Sequence, residues 1–553
     1  MTFNFKDYAN RLLFVPLGGS NEIGMNLNLY TTGGKFIMID LGIGFADSYF
    51  PGVEVLLPDI SFIVERKKDL VGLVLTHAHE DHLGAVPYLW DELQCPVFAT
   101  PFTHAVLKAK LADEGITSKI KVTEVHPGQK IKLDPFEFEM VPLTHSIPEM
   151  QAVALRTPQG VVMHTGDWKI DPDPLVGPVT DEATLKRYGD EGVLAMVCDS
   201  TNVFNDGTSG SEAGVRESIT EIIANCKGRV VVTTFASNIA RLETIIRAGE
   251  KAGRRIAIAG RSLRRVSTAA KESGYLQDAQ PFLNEREIND VRKEEILIIC
   301  TGCQGEPMAA LSKIARGEHP SIRLSPGDTV IFSARKIPGN ETRVSYIYNQ
   351  LTHMGLELIT AKRHHVHVSG HPCRDELARM YELVRPKIAV PTHGEARHIH
   401  EHAKFAKSMQ VRETVEAKNG SVILLEEGSA REVGTVKSGY VAVDGGSLIP
   451  SDSPVIKARR RIRDEGCVVV SVVLGKSNEL LADAAISSPG SMDPTQDKEL
   501  LDQLREEIEE AVGRMKPKDT TDKVSDAIRT AMRRVFREEL GKKPMLDVHV
   551  IRV

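Results

Sequence analysis

Three histidines and one aspartate fall within six residues, directly after an apolar run. The run covers residues 71–75, and the cluster follows in the order H-x-H-x-D-H as His77, His79, Asp81 and His82. A buried strand that ends in such a cluster points its imidazoles and carboxylate into one small volume. Because imidazole and carboxylate together suit zinc or manganese better than calcium, the cluster predicts a transition-metal site.

Two later segments offer further ligands for the same site. Residues 142–146 follow a predicted strand and place His145 at its end, and residues 164–167 place Asp167 at the end of another. Gly166, just before that aspartate, allows the backbone to approach closely. A single histidine or aspartate is more often a hydrogen-bonded structural residue, but the series as a whole predicts a metal centre, with Asp167 well placed to bridge two ions.

Strands must position these side chains, and the first 205 residues have a strand-rich pattern. Turn signals at Gly18-Gly19 and Gly33-Gly34 separate the apolar runs. The predicted strands are residues 14–17, 26–30, 35–40, 71–75, 136–141, 160–164 and 195–198. Short strands are predicted again later in the chain, at residues 364–369, 388–391 and 422–425.

The pattern between these two strand-rich regions is different, because strands alternate with helices. Residues 229–233 precede a predicted helix at 237–252, and residues 255–259 precede another at 263–273. This alternation predicts a parallel sheet with crossover helices. The simplest account is a first domain of residues 1–205 and 365–440, interrupted by an inserted domain of residues 206–364.

The last hundred residues have the pattern of a separate small domain. Residues 442–451 are rich in Gly, Ser and Asp, so we predict a linker at 441–454 followed by a domain at 455–553. A basic run at 457–463 opens this α+β domain. Its predicted elements are a strand at 468–474, amphipathic helices near 498–515 and 521–540, and a final strand at 546–551.

Charge and cysteine content narrow the class of protein. The 553 residues carry a net charge of -6, which argues against a protein that coats nucleic acid indiscriminately. The predicted insert holds 23 Lys/Arg against 18 Asp/Glu, so it carries +5 and leaves -11 for the rest. A basic insert facing a metal-bearing domain suits an anionic substrate, although uneven surface charge without function is the alternative.

Seven cysteines, no signal peptide and no long apolar run predict a cytoplasmic protein without membrane segments.

The motifs together resemble the metallo-β-lactamase superfamily, and Pro-Thr-His-Gly-Glu at 391–395 resembles its β-CASP branch, which processes nucleic acids. The resemblance implies an α/β fold: an αββα sandwich interrupted by a β-CASP α/β insert and followed by a small α+β domain. It also implies a complete set of metal ligands. His77, His79 and His145 would hold one ion, Asp81 and His82 the other, with Asp167 as the bridge and His393 as the seventh ligand.

The layout of the whole chain resembles the ribonuclease J family, since residues 18–26, 234–238 and 302–308 also match. Histidine at the last motif, here His393, is typical of RNA enzymes, whereas the DNA enzymes typically carry valine. The resemblance implies a 5′-to-3′ exoribonuclease that prefers 5′-monophosphorylated single-stranded RNA, and it leaves internal cleavage open as a second activity. Roles in rRNA and mRNA maturation and decay, a homodimer or homotetramer, and RNA-decay partner proteins are further implications.

The implied chemistry uses two divalent ions per subunit to activate a water, with Zn²⁺ as first choice and Mn²⁺ or Mg²⁺ as alternatives. Asp81 supplies negative charge that holds the ions. Asp199 and His371 match two further β-CASP motifs, and our hypothesis is that Asp199 orients His371 to protonate the departing 3′ oxygen or to stabilise the transition state. Asp40 matches a strand-end aspartate that supports the metal loop from outside the ligand set.

Two loops are predicted to bind phosphate. The first contains Phe235, Ala236 and Ser237 and runs from a strand into a helix N-terminus, where Ser237 as a plain N-cap is an equal alternative. The second is formed by His367, Val368, Ser369, Gly370 and His371. By resemblance, such loops hold the RNA backbone and a terminal 5′-monophosphate. Basic residues at 254–255, 261 and 264–265 either line the RNA path or form a solvated helix face.

Two rival functions remain open from the sequence. Another hydrolase of the same fold, such as a thioesterase or lactonase, would lack the long insert and the motif at 391–395. A non-catalytic RNA-binding subunit would have lost ligands, whereas all seven ligand positions are filled here.

Overall fold

The computed structural model describes residues 3–116 and 120–553, which form two compact units. The first unit runs to Gly44 and then from Leu57 to Gly439, and the second comprises Phe45–Leu56 and Tyr440–Val553. No helix in the described ranges combines the length and apolar character needed to cross a bilayer.

An eight-stranded sheet forms one layer of the first unit. Gly33 and Gly34, both at positive φ, close a two-residue hairpin between its fourth and fifth strands, as the sequence signal predicts. In spatial order the strands are Arg431–Thr435, Ser421–Leu424, Leu13–Gly18, Leu27–Thr32, Lys35–Ile39, Leu70–Val74, Val97–Ala99 and Val122–Glu124.

A seven-stranded sheet faces the first one across a shared apolar core. Its strands, in spatial order, are Lys130–Leu133, Phe136–Pro142, Gln151–Thr157, Gly160–His164, Val193–Asp199, Ile388–Thr392 and Glu413–Thr414. Phe14 and Ile39 of the first sheet share a buried cluster with Phe138 and Val197 of the second. Burial of such large apolar side chains contributes roughly 1.5–3 kcal/mol each, so this core is what fixes the sheets face to face.

Helices cover the other face of the second sheet, where Leu185, Tyr188 and Leu377 pack against strand residues such as Met196. The helices of this sandwich part are Ser61–Val64, Glu80–Leu83, Val86–Leu93, Pro101–Asp113, Glu182–Glu191, Arg374–Val384 and Ala396–Ser408. Short 3₁₀ turns lie at Phe5–Tyr8 and Lys67–Asp69, and Ser20–Asn21 pairs with Gly394–Glu395 in a two-stranded ribbon.

The region predicted as an insert contains a five-stranded sheet in which every pair is parallel. Its strands, in spatial order, are Arg255–Ala259, Ile296–Cys300, Val230–Thr233, Thr329–Phe332 and Glu357–Thr360. Its helices are Glu212–Asn225, Ile239–Lys251, Arg261–Glu272, Ala310–Ala315 and Glu341–His353, with 3₁₀ turns at Glu287–Asp290 and Lys293–Glu295. Because the strands are parallel, the loops that follow them gather at one edge, where ligands of such sheets bind.

The second unit contains most of a four-stranded sheet and all of a three-stranded one. The four strands are Ser447–Pro450, Tyr440–Asp444, Val55–Pro58 and Gly44–Phe45, and the three are Ala485–Ser487, Cys467–Leu474 and Met545–Arg552. Its helices are Pro454–Glu465, Lys498–Gly513 and Thr521–Leu540. The segment predicted as a linker thus contains two paired strands, while the predicted strands and amphipathic helices after it are present.

One predicted strand is wrong, because residues 364–369 form no strand. Their carbonyls bond to side chains instead of a neighbouring strand: the Val366 carbonyl accepts from Arg241 Nη1 at 2.9 Å and from Ser333 Oγ at 2.7 Å. The segment therefore runs as an irregular loop towards the end of the second sheet.

Candidate metal centre

Histidines and aspartates at strand ends form a compact cluster in the first unit. The possible ligand atoms of His77, His79, His145 and Asp167 all lie within 4.8 Å of one another. These residues follow the strands Leu70–Val74, Phe136–Pro142 and Gly160–His164, which belong to both facing sheets. The edge of the sandwich therefore brings together residues that are up to 90 positions apart in the chain.

A second group of possible ligands adjoins the first and shares Asp167 with it. Asp81, His82, Asp167 and His393 also have ligand atoms within 4.8 Å of one another. Asp167 Oδ2 lies 3.2 Å from His82 Nε2, and its Oδ1 lies 3.3 Å from His393 Nδ1. Asp167 thus occupies the position between the two groups that a bridging carboxylate requires.

The backbone at this edge is strained in places that set side-chain direction. His393 has a φ of 49° and Asp40 a φ of 64°, although neither is glycine. Such left-handed residues cost free energy and cluster at functional sites. Gly166 has a φ of 58°, which favours glycine before Asp167, and a Cβ there would also lie 3.2 Å from Thr76 Oγ1.

Outer partners fix the orientation of two histidines. Asp40 Oδ2 lies 2.7 Å from His82 Nδ1, while Asp40 also accepts from the Thr76 N–H and hydroxyl at 2.8 Å each. His145 Nδ1 lies 2.5 Å from the Gly370 carbonyl oxygen and therefore carries the proton that it donates. In both rings the Nε2 atom is left to face the cluster, which is the arrangement that second-layer partners impose on metal-binding histidines.

Burial and neighbouring charges leave His77, His79, His145 and Asp81 in the protonation states that metals need, whereas burial is outweighed by Asp167, which raises the pKa of His82 and His393. Burial lowers the pKa of His79 to about 4 and holds that of His77 and His145 well below the usual range, helped by neighbouring imidazoles. Burial alone would raise the pKa of Asp81, but His82 and His393 outweigh it and lower the pKa. Neutral imidazoles and ionised carboxylates both offer free lone pairs at neutral pH.

The residues present fit a divalent cation. Within the described chain, His77 Nε2 and Asp167 Oδ1 are buried and have no hydrogen-bond partner. His79 Nδ1 and His145 Nε2 face each other at 3.1 Å, although His145 carries its proton on the other nitrogen. Buried polar atoms are costly unless something satisfies them, and a nitrogen- and oxygen-binding cation does so here.

Asp199 and His371 lie beside the cluster as a hydrogen-bonded pair. Asp199 Oδ2 is 2.8 Å from His371 Nδ1, and Asp199 Oδ1 accepts from the backbone N–H and hydroxyl of Thr201. Burial opposes the charged imidazole, but Asp199 outweighs it and raises the pKa of His371. His371 Nδ1 is also 3.9 Å from Asp167 Oδ2, so the pair adjoins the metal centre.

The two predicted phosphate loops differ in their relation to this centre. The loop at 367–371 touches it through the Gly370 carbonyl and His371, and Ser369 Oγ accepts from Asn202 Nδ2 at 2.8 Å. Val368 is buried, and His367 Nδ1 lacks a hydrogen-bond partner among the described residues. Burial, with nearby Arg241, Arg335 and Lys169, lowers the pKa of His367 to about 3.

The loop of Phe235, Ala236 and Ser237 lies at the carboxyl edge of the insert sheet, half-buried before the helix Ile239–Lys251. The N-cap of that helix is Asn238, whose side chain accepts from the Arg241 N–H at 2.8 Å, so the N-cap role for Ser237 is wrong.

The basic residues of the insert that were expected along an RNA path differ in burial and in their partners. Arg254 is buried and donates to backbone carbonyls, whereas Arg264 and Arg265 pair with carboxylates of Glu285 and Glu80.

Several residues that support the site escaped the sequence reasoning. Thr76 bonds Asp40, Thr201 bonds Asp199, and Asn26 donates to the Asp81 carbonyl at 3.1 Å. Each lies within or next to a motif that predicts the metal site, so its position in the sequence indicates a supporting role. Glu376 had no such signal, yet it is buried and accepts from Ser209 and from the Cys373 N–H.

Comparison with protein families covers most of the chain. Residues 41–190 match a beta-lactamase superfamily domain, and residues 358–417 match a Zn-dependent metallo-hydrolase RNA specificity domain. Residues 227–351 match the ribonuclease J beta-CASP domain, and residues 454–553 match the ribonuclease J C-terminal domain.

Individual proteins are similar over nearly the full length. Ribonuclease J of Sinorhizobium meliloti is 42% identical over 98% of this chain and 97% of its own. Ribonuclease J of Mycolicibacterium smegmatis is 37% identical over 98% and 97%, and that of Thermus thermophilus is 33% identical over 96% and 94%. A solved structure of a protein of unknown function from Enterococcus faecalis shares the fold, with a TM-score of 0.53 and 15% identity over 75% of this chain and all of that one.

Proposed function

Since the chain belongs to the ribonuclease J family and is a metal-dependent ribonuclease, we propose that it degrades 5′-monophosphorylated single-stranded RNA from the 5′ end. The predicted family, fold class and ribonuclease activity are confirmed by these matches, and RNA is the substrate. Internal cleavage, as a second activity, occurs where RNA threads past the pocket for the 5′ end.

The observation that carries this proposal is the contact between the loop at 367–371 and the metal centre. The Gly370 carbonyl bonds the ligand candidate His145, and His371 pairs with Asp199 at the edge of the cluster. A terminal phosphate held by the Ser369 hydroxyl and neighbouring groups therefore sits close to the ions. The next linkage of the same strand is then the one presented for cleavage, which gives stepwise removal from the 5′ end.

Seven side chains are proposed to hold two ions, with Zn²⁺ favoured by the preponderance of imidazole ligands. They are His77, His79 and His145 for one ion, Asp81, His82 and His393 for the other, and Asp167 between them. When bound, the ions activate a water for in-line attack on phosphorus and offset charge on the phosphate oxygens. Asp40 serves this set by orienting His82.

The chain's own residues complete the hydrolysis. The water oxygen bonds to phosphorus, the bond from phosphorus to the 3′ oxygen breaks, and that oxygen needs a proton. His371 uses Nδ1 to bond Asp199, so its Nε2 is the atom that donates the proton to the departing oxygen. Asp199 is held in turn by Thr201, which keeps the imidazole oriented throughout.

The larger context follows from the family. We propose a homodimer or homotetramer acting in the cytoplasm on rRNA and mRNA, together with RNA-decay partner proteins. The domain boundaries proposed are those of the sequence analysis: 1–205 with 365–440, 206–364, and 455–553 after a linker at 441–454. The ribonuclease J family matches at 227–351 and 454–553 support this division.

The decisive experiment compares matched 3′-labelled RNAs that begin with a 5′-monophosphate, a 5′-triphosphate or a 5′-hydroxyl. We expect mononucleotide release that is fastest for the monophosphate, abolished by a chelator, and restored by Zn²⁺ or Mn²⁺. Metal analysis of gently purified protein should give two ions per chain. Equal rates on the three RNAs, or internal fragments as the first products, would contradict the 5′-end mechanism.

A further inference from the structure

An exposed phenyl ring lies close to the metal centre without any role in it. Among the described residues of the first unit, only two aromatic side chains are more than a third exposed: Phe204 at 49% and Tyr346 at 51%. Phe204 follows Asp199 by five positions, whereas Tyr346 lies on the helix Glu341–His353 of the insert. A single exposed ring is common on protein surfaces, so only the groups that surround Phe204 can point to a ligand.

Two π-faced groups lie next to the Phe204 ring. Its centroid lies 5.3 Å from that of the His398 imidazole, and the Arg397 guanidinium carbon lies 5.9 Å from it. The Arg397 side chain is 64% exposed and pairs with Glu395 through Nε, so its planar face stays accessible. His398 is buried, and its Nδ1 has no hydrogen-bond partner among the described residues.

Phe204 and His398 are connected to the metal centre through a packing contact and a hydrogen bond of neighbouring residues. A Cβ on Gly394, the residue after His393, would lie 2.8 Å from His398 Cβ, so the imidazole that supports Phe204 packs against the ligand loop. Two positions before Phe204 in the chain, Asn202 donates to the His371 carbonyl at 2.9 Å. The segment that carries Phe204 is therefore bonded to the His371 loop, while the imidazole beside the ring packs against the His393 loop.

The backbone around Phe204 is held so that the ring is presented in one place. The Val203 carbonyl accepts from Arg374 Nε at 2.8 Å, and the Asn205 carbonyl accepts from the Arg374 N–H at 2.9 Å. Asn205 also donates to the Asn202 backbone and side chain. A preordered aromatic surface loses little entropy when a flat ligand stacks on it.

We infer that Phe204, with Arg397 and His398, forms a stacking subsite for one nucleobase of the RNA strand that occupies the metal centre. The inference rests on the proposed function for the identity of the strand. Aromatic rings with an adjacent guanidinium are the groups on which single-stranded nucleic acids stack, and the arginine adds attraction for the neighbouring phosphate. Phe204 contacts the base, and His398 and Arg397 position the ring and flank it. The subsite tolerates any base, because every base presents a π-face.

The test combines protein variants with RNAs that lack a single base. KM and kcat for the first cleavage are measured with holoenzyme on short 5′-monophosphorylated RNAs, each with one abasic nucleotide at a different position. Wild type is compared with Phe204→Ala, Phe204→Trp and the matched control Tyr346→Ala. We expect one position at which the abasic RNA raises KM for wild type by about 5- to 150-fold, which corresponds to one stacked base.

In Phe204→Ala the intact RNA should show the same rise in KM. Loss of the base at that one position should then cause no further rise in KM (the abasic penalty), while the abasic penalties at other positions should persist. Phe204→Trp should restore both, and Tyr346→Ala should match wild type. A Phe204→Ala KM within twofold of wild type overturns the inference, as does a KM rise in which every abasic penalty persists. If Phe204→Ala changes the mass of the oligomer and leaves every abasic penalty as in wild type, the inference is wrong and the ring belongs to a protein interface. Failure of wild type to cleave RNA at all refutes the proposed function and is recognised separately.

Discussion

Replacement of Gly370 by alanine tests whether the loop at 367–371 positions a metal ligand. A Cβ at Gly370 would lie 2.7 Å from Cε1 and 2.9 Å from Nδ1 of His145. Since ordinary carbon contacts are about 3.5 Å or longer, the imidazole has to retreat by about 0.8 Å or the loop has to move away. Either movement stretches the bond between His145 Nδ1 and the Gly370 carbonyl, which is 2.5 Å long here.

The size of the effect follows from what that contact does. The carbonyl fixes the tautomer of His145 and aims its Nε2 at the cluster, and loss of such outer partners typically costs about 10- to 100-fold in metal affinity or activity. We therefore expect Gly370→Ala to need about 10- to 100-fold more metal for half-maximal cleavage. Saturating metal should recover part of the rate if the ring is displaced rather than expelled.

The assay is a titration of metal-stripped protein with Zn²⁺ or Mn²⁺, read both by competition with a coloured chelator and by RNA cleavage. Gly513→Ala is the matched control, because a Cβ there meets nothing within 4 Å. Thermal unfolding without metal should be nearly the same for the two variants and wild type. Wild-type metal affinity and cleavage in Gly370→Ala would show that the loop does not position His145.

Three further substitutions test other parts of the site. Asp40→Asn removes the charge that orients His82 and should weaken metal binding by about 10- to 100-fold in the same chelator competition, with overall fold unchanged by circular dichroism. His371→Ala should retain its metal and slow single-turnover cleavage by about 10²- to 10⁴-fold, whereas a wild-type rate would refute its role with Asp199. Glu376→Ala leaves several buried N–H groups unsatisfied and should reduce the free energy of unfolding by about 1–3 kcal/mol or more, measured by denaturant titration.

The strands that hold the metal ligands were predictable because their apolar runs are continuous and end at sharp polar signals. Residues 160–164, which lead to Asp167, were predicted with the bounds that the structure has, and so were residues 255–259 of the insert sheet. The proposed ligand set depends on a different kind of signal, since Asp167 and His393 become ligand candidates only when they are considered with the cluster at residues 77–82. Spacing alone does not bring residues more than 200 positions apart together, so the resemblance to a known family supplied that part.

The expected N-cap at Ser237 is wrong, and the predicted linker holds paired strands that its composition did not indicate. At residue 237 a serine before a helix suggested an N-cap, but the next residue, Asn238, caps a helix equally well and takes the position. In the predicted linker, glycines and serines turned out to allow a tight reversal between Tyr440–Asp444 and Ser447–Pro450. Composition indicates that a chain turns in such a segment, but it does not indicate whether the flanking residues pair.

The missing strand at residues 364–369 is the most informative difference, because the irregular segment leads directly into the loop that contacts His145. Apolar and β-branched residues there favour a strand, whose carbonyls would be used in a ladder. Instead the Val366 carbonyl accepts from Arg241 and Ser333 of the insert, and the Gly370 carbonyl, just beyond the segment, accepts from His145. One irregular segment thus joins the insert to the metal centre through its own backbone. A regular strand in this place would use the Val366 carbonyl in a ladder and remove the bonds that tie the segment to Arg241 and Ser333.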